Sequence, residues 1–214
     1  MKVSTDACLL GALVNDNITA AHILDIGTGT GLLSLMMAQK FPSAIIEAVE
    51  IEQNAFQQAQ ENFSNSIWKD RLKVHLSSIQ NFAKNNSAQK YDLIISNPPF
   101  FENDLLSPDK KTNIAKHSTD LTLKELLACA FELLNDNGFI YLLLPFRRMD
   151  ELKQHGVSII HLQDNPQSGI KRSVFMLQKN NFQKLIEEKF VLKNEQDNYS
   201  NAFLQLMQPF YLNL

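Results

Sequence analysis

The feature that most constrains the fold is an alternation, from His22 onward, between short apolar runs and segments of helical periodicity. HILDIG and AIIEAVEI have the length and composition of buried strands, and the intervening GLLSLMMAQKF places apolar residues at helical spacing until Pro42. Strands that alternate with helices typically form a mostly parallel sheet with helices on both faces. The sequence therefore predicts an α/β fold, whose later strands are LKVHL, YDLIIS, FIYLLLP, VSIIHLQ and GIKRSVFMLQK.

The segments between these strands are predicted in less detail. A helix is expected from about Asn54 to Asn65, and the polar stretch AKNNSAQK is expected to be a linker. The helix LKELLACAFELLN is expected to end in a cap supplied by Asn137 and Gly138. The last two strands are expected to pair as a C-terminal hairpin at the sheet edge. Residues 1–20 are expected to form an N-terminal helical segment, and residues 101–120 a mobile substrate loop.

Composition excludes several classes of protein. The 214 residues, of which 44% are hydrophobic, suit a single domain over residues 1–214. No run approaches the roughly 20 apolar residues of a membrane span, and the N-terminus lacks a signal-peptide pattern, so we expect a cytoplasmic protein without a membrane partner. A net charge of −3 argues against non-specific coating of nucleic acid. The cysteines and histidines lack metal-ligand spacing, which predicts no metal site and two buried free thiols. We expect a monomer or a weak dimer.

The segment DIGTGTG stands where the first strand turns into the first helix of the alternating region. Gly27, Gly29 and Gly31 allow a ligand to approach the main chain at a helix N-terminus with unpaired N–H groups. The dinucleotide fingerprint G-x-G-x-x-G is incomplete, because Leu32 occupies its last glycine position. The loop therefore predicts a binding site for a ligand other than a dinucleotide.

An acidic residue at the end of the second strand completes this prediction. Glu50 lies about twenty residues after the glycines, where a carboxylate accepts hydrogen bonds from ribose hydroxyls. Glu52, on the same face of an extended chain, is an alternative, and we favour Glu50. No phosphate-binding Lys, Ser or Thr follows the glycines, which favours a nucleoside ligand without phosphates. S-adenosylmethionine is such a ligand.

The order DIGTGTG, AVE and NPPF resembles the class I, Rossmann-like methyltransferases that modify amino groups. The resemblance implies a seven-stranded sheet, S-adenosylmethionine as cofactor, and an Asp25 carboxylate that reaches the cofactor's amino group directly or through water. This superfamily often has an acid after the third strand for the adenine amino group. Here Ser78 stands at that place, and either Ser78 or the backbone of Ile79 could replace the acid. The predicted cofactor contacts are Thr5, Asp25, Gly27, Gly29, Gly31, Glu50, Ile51, Ser78, Ile79 and Asn97.

The turn NPPF, which follows the strand YDLIIS, suits the activation of an amino group. An amine on an aromatic ring or an amide is a poor nucleophile, because its lone pair is delocalised. The side-chain oxygen of Asn97 and the carbonyl of Pro98 could each accept a hydrogen bond from that amine and direct its lone pair. Pro99 would hold the turn rigid, and Phe100, supported by Phe101, would stack on a planar base. We expect Asn97, Pro98, Pro99 and Phe100 to form the catalytic set.

Nearly the whole chain resembles the bacterial tRNA(Val) adenine-N6-methyltransferase family, whose members methylate the adenine just 3′ of the anticodon, adenine 37. The resemblance rests on MKVSTDACLLGA, NPPFF, the segments AKHS and LTLKELL, IKRSVFML and YSNAFLQLMQPFYL. It places Thr5 and Asp6 close to the cofactor. It implies a tRNA partner. The candidate substrate contacts are the aromatic residues Phe100 and Phe101, His117 in the loop after NPPF, and three residues from local basic clusters, Lys116, Arg147 and Arg172.

Members of that family usually have a few dozen further residues before MKV, and we expect such a stretch to border the active site. Three alternatives remain open from the motifs. Two are enzymes with the same chemistry, a release-factor glutamine N5-methyltransferase and a ribosomal RNA guanine-N2 methyltransferase. The third is a module that binds cofactor and RNA without catalysis.

Overall fold

A computed structural model describes residues 4–98, 121–152, 155–179 and 185–211. Five predicted site residues lie outside these ranges, as does the predicted loop 101–120: Pro99, Phe100, Phe101, Lys116 and His117. In the described part of the chain, no helix is long and apolar enough to cross a membrane.

The N-terminal half alternates strands and helices, as the sequence predicts. Its elements are α1 (Thr5–Leu13), β1 (His22–Ile26), α2 (Leu32–Lys40), β2 (Ile45–Glu50), α3 (Gln53–Asn65), β3 (Leu72–Leu76), α4 (Ile79–Asn85) and β4 (Tyr91–Ser96). The C-terminal half adds more strands than helices. Its elements are α5 (Leu123–Leu133), β5 (Leu134–Pro145), α6 (Met149–Leu152), β6 (Gly156–Gln163), β7 (Arg172–Leu177), β8 (Ile186–Val191) and α7 (Asn201–Met207).

The eight strands of the described residues belong to one sheet, in the order β3-β2-β1-β4-β5-β7-β6-β8. The strands from β3 to β5 are parallel, whereas β7 is antiparallel to both β5 and β6. Because β6 is thereby parallel to β5, and β8 is parallel to β6, the carboxyl ends of β5, β6 and β8 lie on the same edge as those of β1 to β4. The prediction of a mostly parallel α/β sheet is confirmed.

Where the chain is described, the sheet has eight strands rather than the expected seven, and β8, not the hairpin of β6 and β7, forms its edge. The strand β8 covers the hairpin, and four of its six residues, Ile186 to Lys189, are exposed. Charged edge strands of this kind protect a sheet from pairing with other chains. Because Glu187, Glu188 and Lys189 are charged, the sequence of this segment has no apolar strand pattern, and the strand was not predicted.

Helices cover both faces of the sheet, and each face has its own apolar core. On one face, α1, α2, α3 and α7 bury residues such as Leu9, Met37, Phe63 and Phe203. On the other face, α4, α5 and α6 bury residues such as Phe82, Leu126 and Leu152. Each fully buried side chain of this size stabilises the fold by about 1.5–3 kcal/mol. The two cores therefore hold the sheet rigid beneath its carboxyl edge.

Three local predictions are corrected. The helix α4, which Ser78 caps by accepting a hydrogen bond of 3.2 Å from the Asn81 amide, continues to Asn85. The first three residues of AKNNSAQK are therefore helical and not part of a linker. Asn137 and Gly138 do not cap α5, which ends at Leu133 and leads directly into β5. A Cβ atom at Gly138 would lie 2.8 Å from Leu134 Cδ1, so the glycine permits close packing within β5. Both cysteines are free thiols, but Cys129 is only half-buried.

Candidate active site at the carboxyl edge of the sheet

The register of the parallel strands brings the predicted motifs to one edge. Ile26 pairs with Val49 of β2 and with Ser96 of β4, so the residues that follow these strands leave the sheet side by side. The glycine loop and Asn97 are two of those segments, and Glu50 is the last residue of β2. Ligands of α/β sheets bind outside the carboxyl ends of the strands. The motifs at residues 25–31, 50 and 97 therefore form one candidate site.

The glycine loop adopts backbone conformations that favour glycine. The φ angles of Gly27, Gly29 and Gly31 are 70°, 60° and 87°. The amide of Gly27 donates a hydrogen bond of 2.8 Å to the carbonyl of Val49, which fixes the start of the loop against β2. Gly31 directly precedes α2, and a Cβ atom there would lie 2.5 Å from the Phe63 ring. The loop is thus held close to both β2 and α3.

The Glu50 carboxylate joins the second strand to the glycine loop. Its Oε2 accepts a hydrogen bond of 2.8 Å from the Gly29 amide, and its Oε1 accepts bonds of 2.8 and 2.9 Å from the amides of Ile51 and Glu52. The side chain of Glu52 instead caps α3 by accepting bonds from the amides of Asn54 and Ala55. Of the two acids considered from the sequence, only Glu50 contacts the glycine loop.

Asp25 is completely buried beneath the loop. Its Oδ2 accepts hydrogen bonds of 2.5 Å from Thr28 Oγ1, 2.7 Å from Ser34 Oγ and 3.1 Å from the Ser34 amide. Its Oδ1 has no hydrogen-bond partner among the described residues. Burial raises the pKa of Asp25 to about 6, against the opposing effect of these hydrogen bonds. A buried, partly unsatisfied carboxylate of this kind suits a cationic ligand group.

Thr28 and Ser34 were not identified from the sequence. Both belong to DIGTGTGLLS. Thr28 lies between two glycines and Ser34 lies in the first turn of α2, and these positions could have identified them as neighbours of Asp25. Together they bind one oxygen of Asp25, and the other oxygen has no partner among the described residues.

The remaining predicted cofactor contacts lie at the ends of neighbouring elements. The Ile51 side chain is 67% exposed directly after β2, and Ser78 and Ile79 begin α4 after β3. The Ser78 hydroxyl accepts the capping bond of α4, and Ile79 is buried. Thr5 is the exposed first residue of α1.

Asn97 and Pro98 directly follow β4, beside the glycine loop. The preceding residue, Ser96, is completely buried and donates a hydrogen bond of 2.7 Å to the carbonyl of Ile26. This bond fixes the end of β4 to the end of β1. Asn97 is half-buried and Pro98 is buried, so the turn starts from a rigid base.

Two predicted substrate contacts are described, and both lie farther along the same edge. Arg147 is exposed in a short 3₁₀ helix, Phe146–Arg148, that follows β5. Arg172 opens β7 opposite Pro145 and forms an ion pair with Asp6 of α1. Among residues 4–98, 121–152, 155–179 and 185–211, no group of three or more histidine, cysteine or acidic side chains could hold a metal ion.

Comparison with known proteins identifies the family. The family model described as "Methyltransferase small domain" matches residues 4–145. The chain belongs to this family. A protein named tRNA1(Val) (adenine(37)-N6)-methyltransferase from Christiangramia forsetii is 38% identical over 224 residues, which cover 100% of this chain and 92% of the relative. A protein of the same name from Pseudoalteromonas translucida is 39% identical over 222 residues, which cover 100% of this chain and 93% of the relative.

The chain therefore also belongs to the family of these tRNA1(Val) (adenine(37)-N6)-methyltransferases, as its sequence resemblance implies. Its fold occurs in solved structures as well. A predicted O-methyltransferase from Agrobacterium tumefaciens aligns with a TM-score of 0.75 over 96% of both chains, at 15% sequence identity. At that identity the likeness concerns the fold alone.

Proposed function

We propose that this enzyme transfers a methyl group from S-adenosylmethionine to the exocyclic N6 amine of an adenine in tRNA, with adenine 37 of tRNA1(Val) as the target. The observation that carries the proposal is the register of β1, β2 and β4, which brings the glycine loop, Glu50 and Asn97 to one edge. The names of the full-length relatives support the choice of tRNA as substrate.

The residues of the glycine loop fit the cofactor. S-adenosylmethionine, when bound, supplies a methyl group on a positively charged sulfur. The unpartnered Asp25 Oδ1 suits the cofactor's ammonium group, because a buried carboxylate oxygen without a donor is unfavourable until a cation pairs with it. The Glu50 carboxylate suits the ribose hydroxyls, and the exposed Ile51 side chain offers an apolar surface for the adenine ring.

Asn97 and Pro98 would position the target amine. The Asn97 side-chain oxygen would accept a hydrogen bond from one proton of the amine and the Pro98 carbonyl from the other. These two bonds would direct the nitrogen lone pair away from the ring. The hydrogen bond from Ser96 to Ile26 keeps this turn in place relative to the glycine loop. Preorganised acceptors of this kind lower the barrier by fixing orientation before the reaction. No side-chain base is required, because the amine proton becomes acidic once the nitrogen has been methylated.

We place Thr5, Ser78 and Ile79 on the cofactor side of the site and Arg147 and Arg172 on the tRNA side. We assign stacking on the flipped adenine to Phe100, with Phe101 as its support. Lys116 and His117 remain predicted contacts to the tRNA. We also infer a cytoplasmic location, where the tRNA substrate is available, and a monomer or weak dimer.

The test is methyl transfer from labelled S-adenosylmethionine to total tRNA from a strain that lacks the native gene, followed by nucleoside mass spectrometry. The expected result is new N6-methyladenosine confined to valine tRNA. In parallel assays on those substrates, a modified guanine in ribosomal RNA or a methylated glutamine in a release factor would instead identify one of the other two amino-group reactions. Cofactor binding without transfer to any of these substrates would contradict the proposed activity.

A further inference from the structure

An ion pair connects the N-terminal helix to the C-terminal part of the sheet. Arg172 Nη1 contacts Asp6 Oδ2, and the two side chains are 31% and 17% exposed. Asp6 lies in the first turn of α1, one residue after Thr5, whereas Arg172 is the first residue of β7. The pair therefore links the cofactor side of the site to the substrate side.

The position of Arg172 along the edge suits a contact next to the target nucleoside. Only β5 separates β7 from β4, a lateral spacing of about 10 Å, and Arg172 pairs with Pro145, three residues beyond the Leu142 that pairs with Ser96. The amide of Phe146 donates a hydrogen bond of 2.9 Å to the carbonyl of Lys171, which joins the start of β7 to the 3₁₀ helix that contains Arg147. Arg172 is consequently fixed at the backbone as well as at the side chain.

Asp6 is less exposed than an ordinary surface acid, because only 17% of its side chain is accessible beside Arg172. Burial raises the pKa of Asp6 above its usual range, against the opposing effect of Arg172, and the nearby Asp164 raises it further. Asp164 itself pairs with Lys171 at 3.5 Å. Asp6 therefore lies in a partly buried position with the Arg172 guanidinium beside it, and this contact restricts the orientation of the guanidinium group.

A guanidinium group has five N–H donors in a planar fork, and one carboxylate oxygen uses only part of them. Because the Arg172 side chain remains 31% exposed, further donors are available at the surface of the site. Planar donors held in one orientation suit the oxygens of a phosphate group. An arginine anchored by a half-buried acid can therefore bind a backbone phosphate with less loss of conformational freedom than an unpaired arginine.

We propose that Asp6 is a positioning residue that orients the Arg172 guanidinium to bind a backbone phosphate of the RNA beside the target nucleoside. This inference rests on the proposed function in taking tRNA as the substrate. It adds the phosphate group as the ligand of Arg172 and assigns a role to Asp6.

The first test measures the affinity of the purified protein for valine tRNA as a function of salt concentration. Arg172→Gln should weaken binding about 3- to 10-fold and lower the slope of log affinity against log salt by about 0.7 to 1, the change expected for one lost phosphate contact. Arg172→Lys should keep the slope. The matched control is Lys179→Gln, because Lys179 follows the opposite end of β7, is 25% exposed and pairs with Asp136. It removes the same charge and should leave the slope unchanged.

The second test separates positioning from stability. Asp6→Asn keeps the charge of Arg172, so the salt slope should equal that of the wild type, while kcat should fall about 10-fold through misorientation of the RNA. Asp6→Glu should restore most of this loss. All rates are compared at a temperature well below the Tm of the least stable variant.

Two outcomes would overturn the inference. One is a slope of log affinity against log salt that is the same for Arg172→Gln as for the wild type, and the other is an Asp6→Asn variant whose Tm falls while its kcat is unchanged. These outcomes are distinct from failure of the proposed function. If the wild-type protein binds tRNA with the expected dependence of affinity on salt but transfers no methyl group, the proposed activity is refuted and the phosphate contact is retained. Wild-type protein that binds no tRNA would overturn both.

Discussion

Glu50 Oε2 accepts a hydrogen bond of 2.8 Å from the amide of Gly29, so the acid of the second strand and the glycine loop after the first strand form one unit. The same carboxylate also accepts bonds from the amides of Ile51 and Glu52. Three backbone donors converge on one side chain, which fixes the direction of the chain as it leaves both strands. The shape of the proposed cofactor site therefore depends on Glu50 even before a ribose is bound.

We expect Glu50→Gln to weaken the binding of S-adenosylmethionine about 10- to 100-fold. The amide nitrogen of glutamine cannot accept a bond, so at least one of the three backbone donors loses its partner, as does one ribose hydroxyl. Isothermal titration calorimetry measures the change. Glu52→Gln is the control, because Glu52 caps α3 and does not contact the loop. Equal weakening by both variants would contradict the assignment of Glu50 to the ribose.

The pH dependence of cofactor binding should follow Asp25. Because burial raises the pKa of Asp25 to about 6, the carboxylate is ionised at pH 8 and largely protonated at pH 5. Binding of the cofactor's ammonium group requires the ionised form, so the affinity of the wild type should fall as the pH drops below about 6. In Asp25→Asn an amide replaces the free oxygen, and the affinity should be low and independent of pH between 5 and 8. A wild-type affinity that does not change over this range would contradict the assignment.

The stability of the ligand-free protein should show the opposite trend for the same residue. The folded state holds the Asp25 proton up to about pH 6, whereas the unfolded chain releases it near pH 3.8. The folded protein therefore binds more protons in this window, and its free energy of unfolding falls as the pH rises through it. Above pH 6, Asp25→Asn should unfold less readily than the wild type, by up to about 3 kcal/mol. Urea denaturation at pH 5 and pH 8 measures the difference, and a variant less stable than the wild type at pH 8 would refute the prediction.

Two glycines of the loop should respond differently to the same substitution. Gly27 and Gly31 both have positive φ angles, which cost an alanine about 1–2 kcal/mol. At Gly27 a Cβ atom would meet nothing within 4 Å, whereas at Gly31 it would lie 2.5 Å from the Phe63 ring. Gly31→Ala should therefore lower the free energy of unfolding further, to a total of about 2–4 kcal/mol, because Phe63 must move.

For Gly27→Ala the larger effect should be on the cofactor. The exposed methyl group would project into the open space above the loop, so the affinity for S-adenosylmethionine should fall more than the stability does. Thermal unfolding and calorimetry on both variants separate the two effects. The interpretation fails if Gly27→Ala proves the less stable variant of the two.

Much of this site could be anticipated because it depends on local sequence. DIGTGTG requires a turn between a strand and a helix, and the parallel order of the strands then brings Glu50 and Asn97 to the same edge. The support of Asp25 by Thr28 and Ser34 was less accessible, since small hydroxyl residues near a helix start are usually explained by helix capping.

The features that the sequence did not reveal depend on contacts between distant segments. Asp6 and Arg172 are far apart in the sequence, and the packing of α1 against the sheet brings them together. The strand β8 was missed because its exposed, charged residues give no strand pattern. It is a strand because β6 offers an open edge with unpaired backbone groups, which β8 satisfies over Ile186–Val191.

Asn97→Ala gives the most direct test of the proposed chemistry. The substitution removes one of the two acceptors for the target amine, whereas the glycine loop, Asp25 and Glu50 are untouched. We expect kcat to fall about 100- to 1000-fold, in the range of lost oriented polar groups in other enzymes, with the affinity for S-adenosylmethionine changed by only a few fold. Single-turnover transfer to valine tRNA and calorimetry on the same preparation measure the two quantities. Asn97→Asp is the matched variant, because it keeps an acceptor oxygen and should retain part of the activity. Loss of cofactor binding in proportion to the loss of rate would place Asn97 in the cofactor site alone and remove it from the catalytic step.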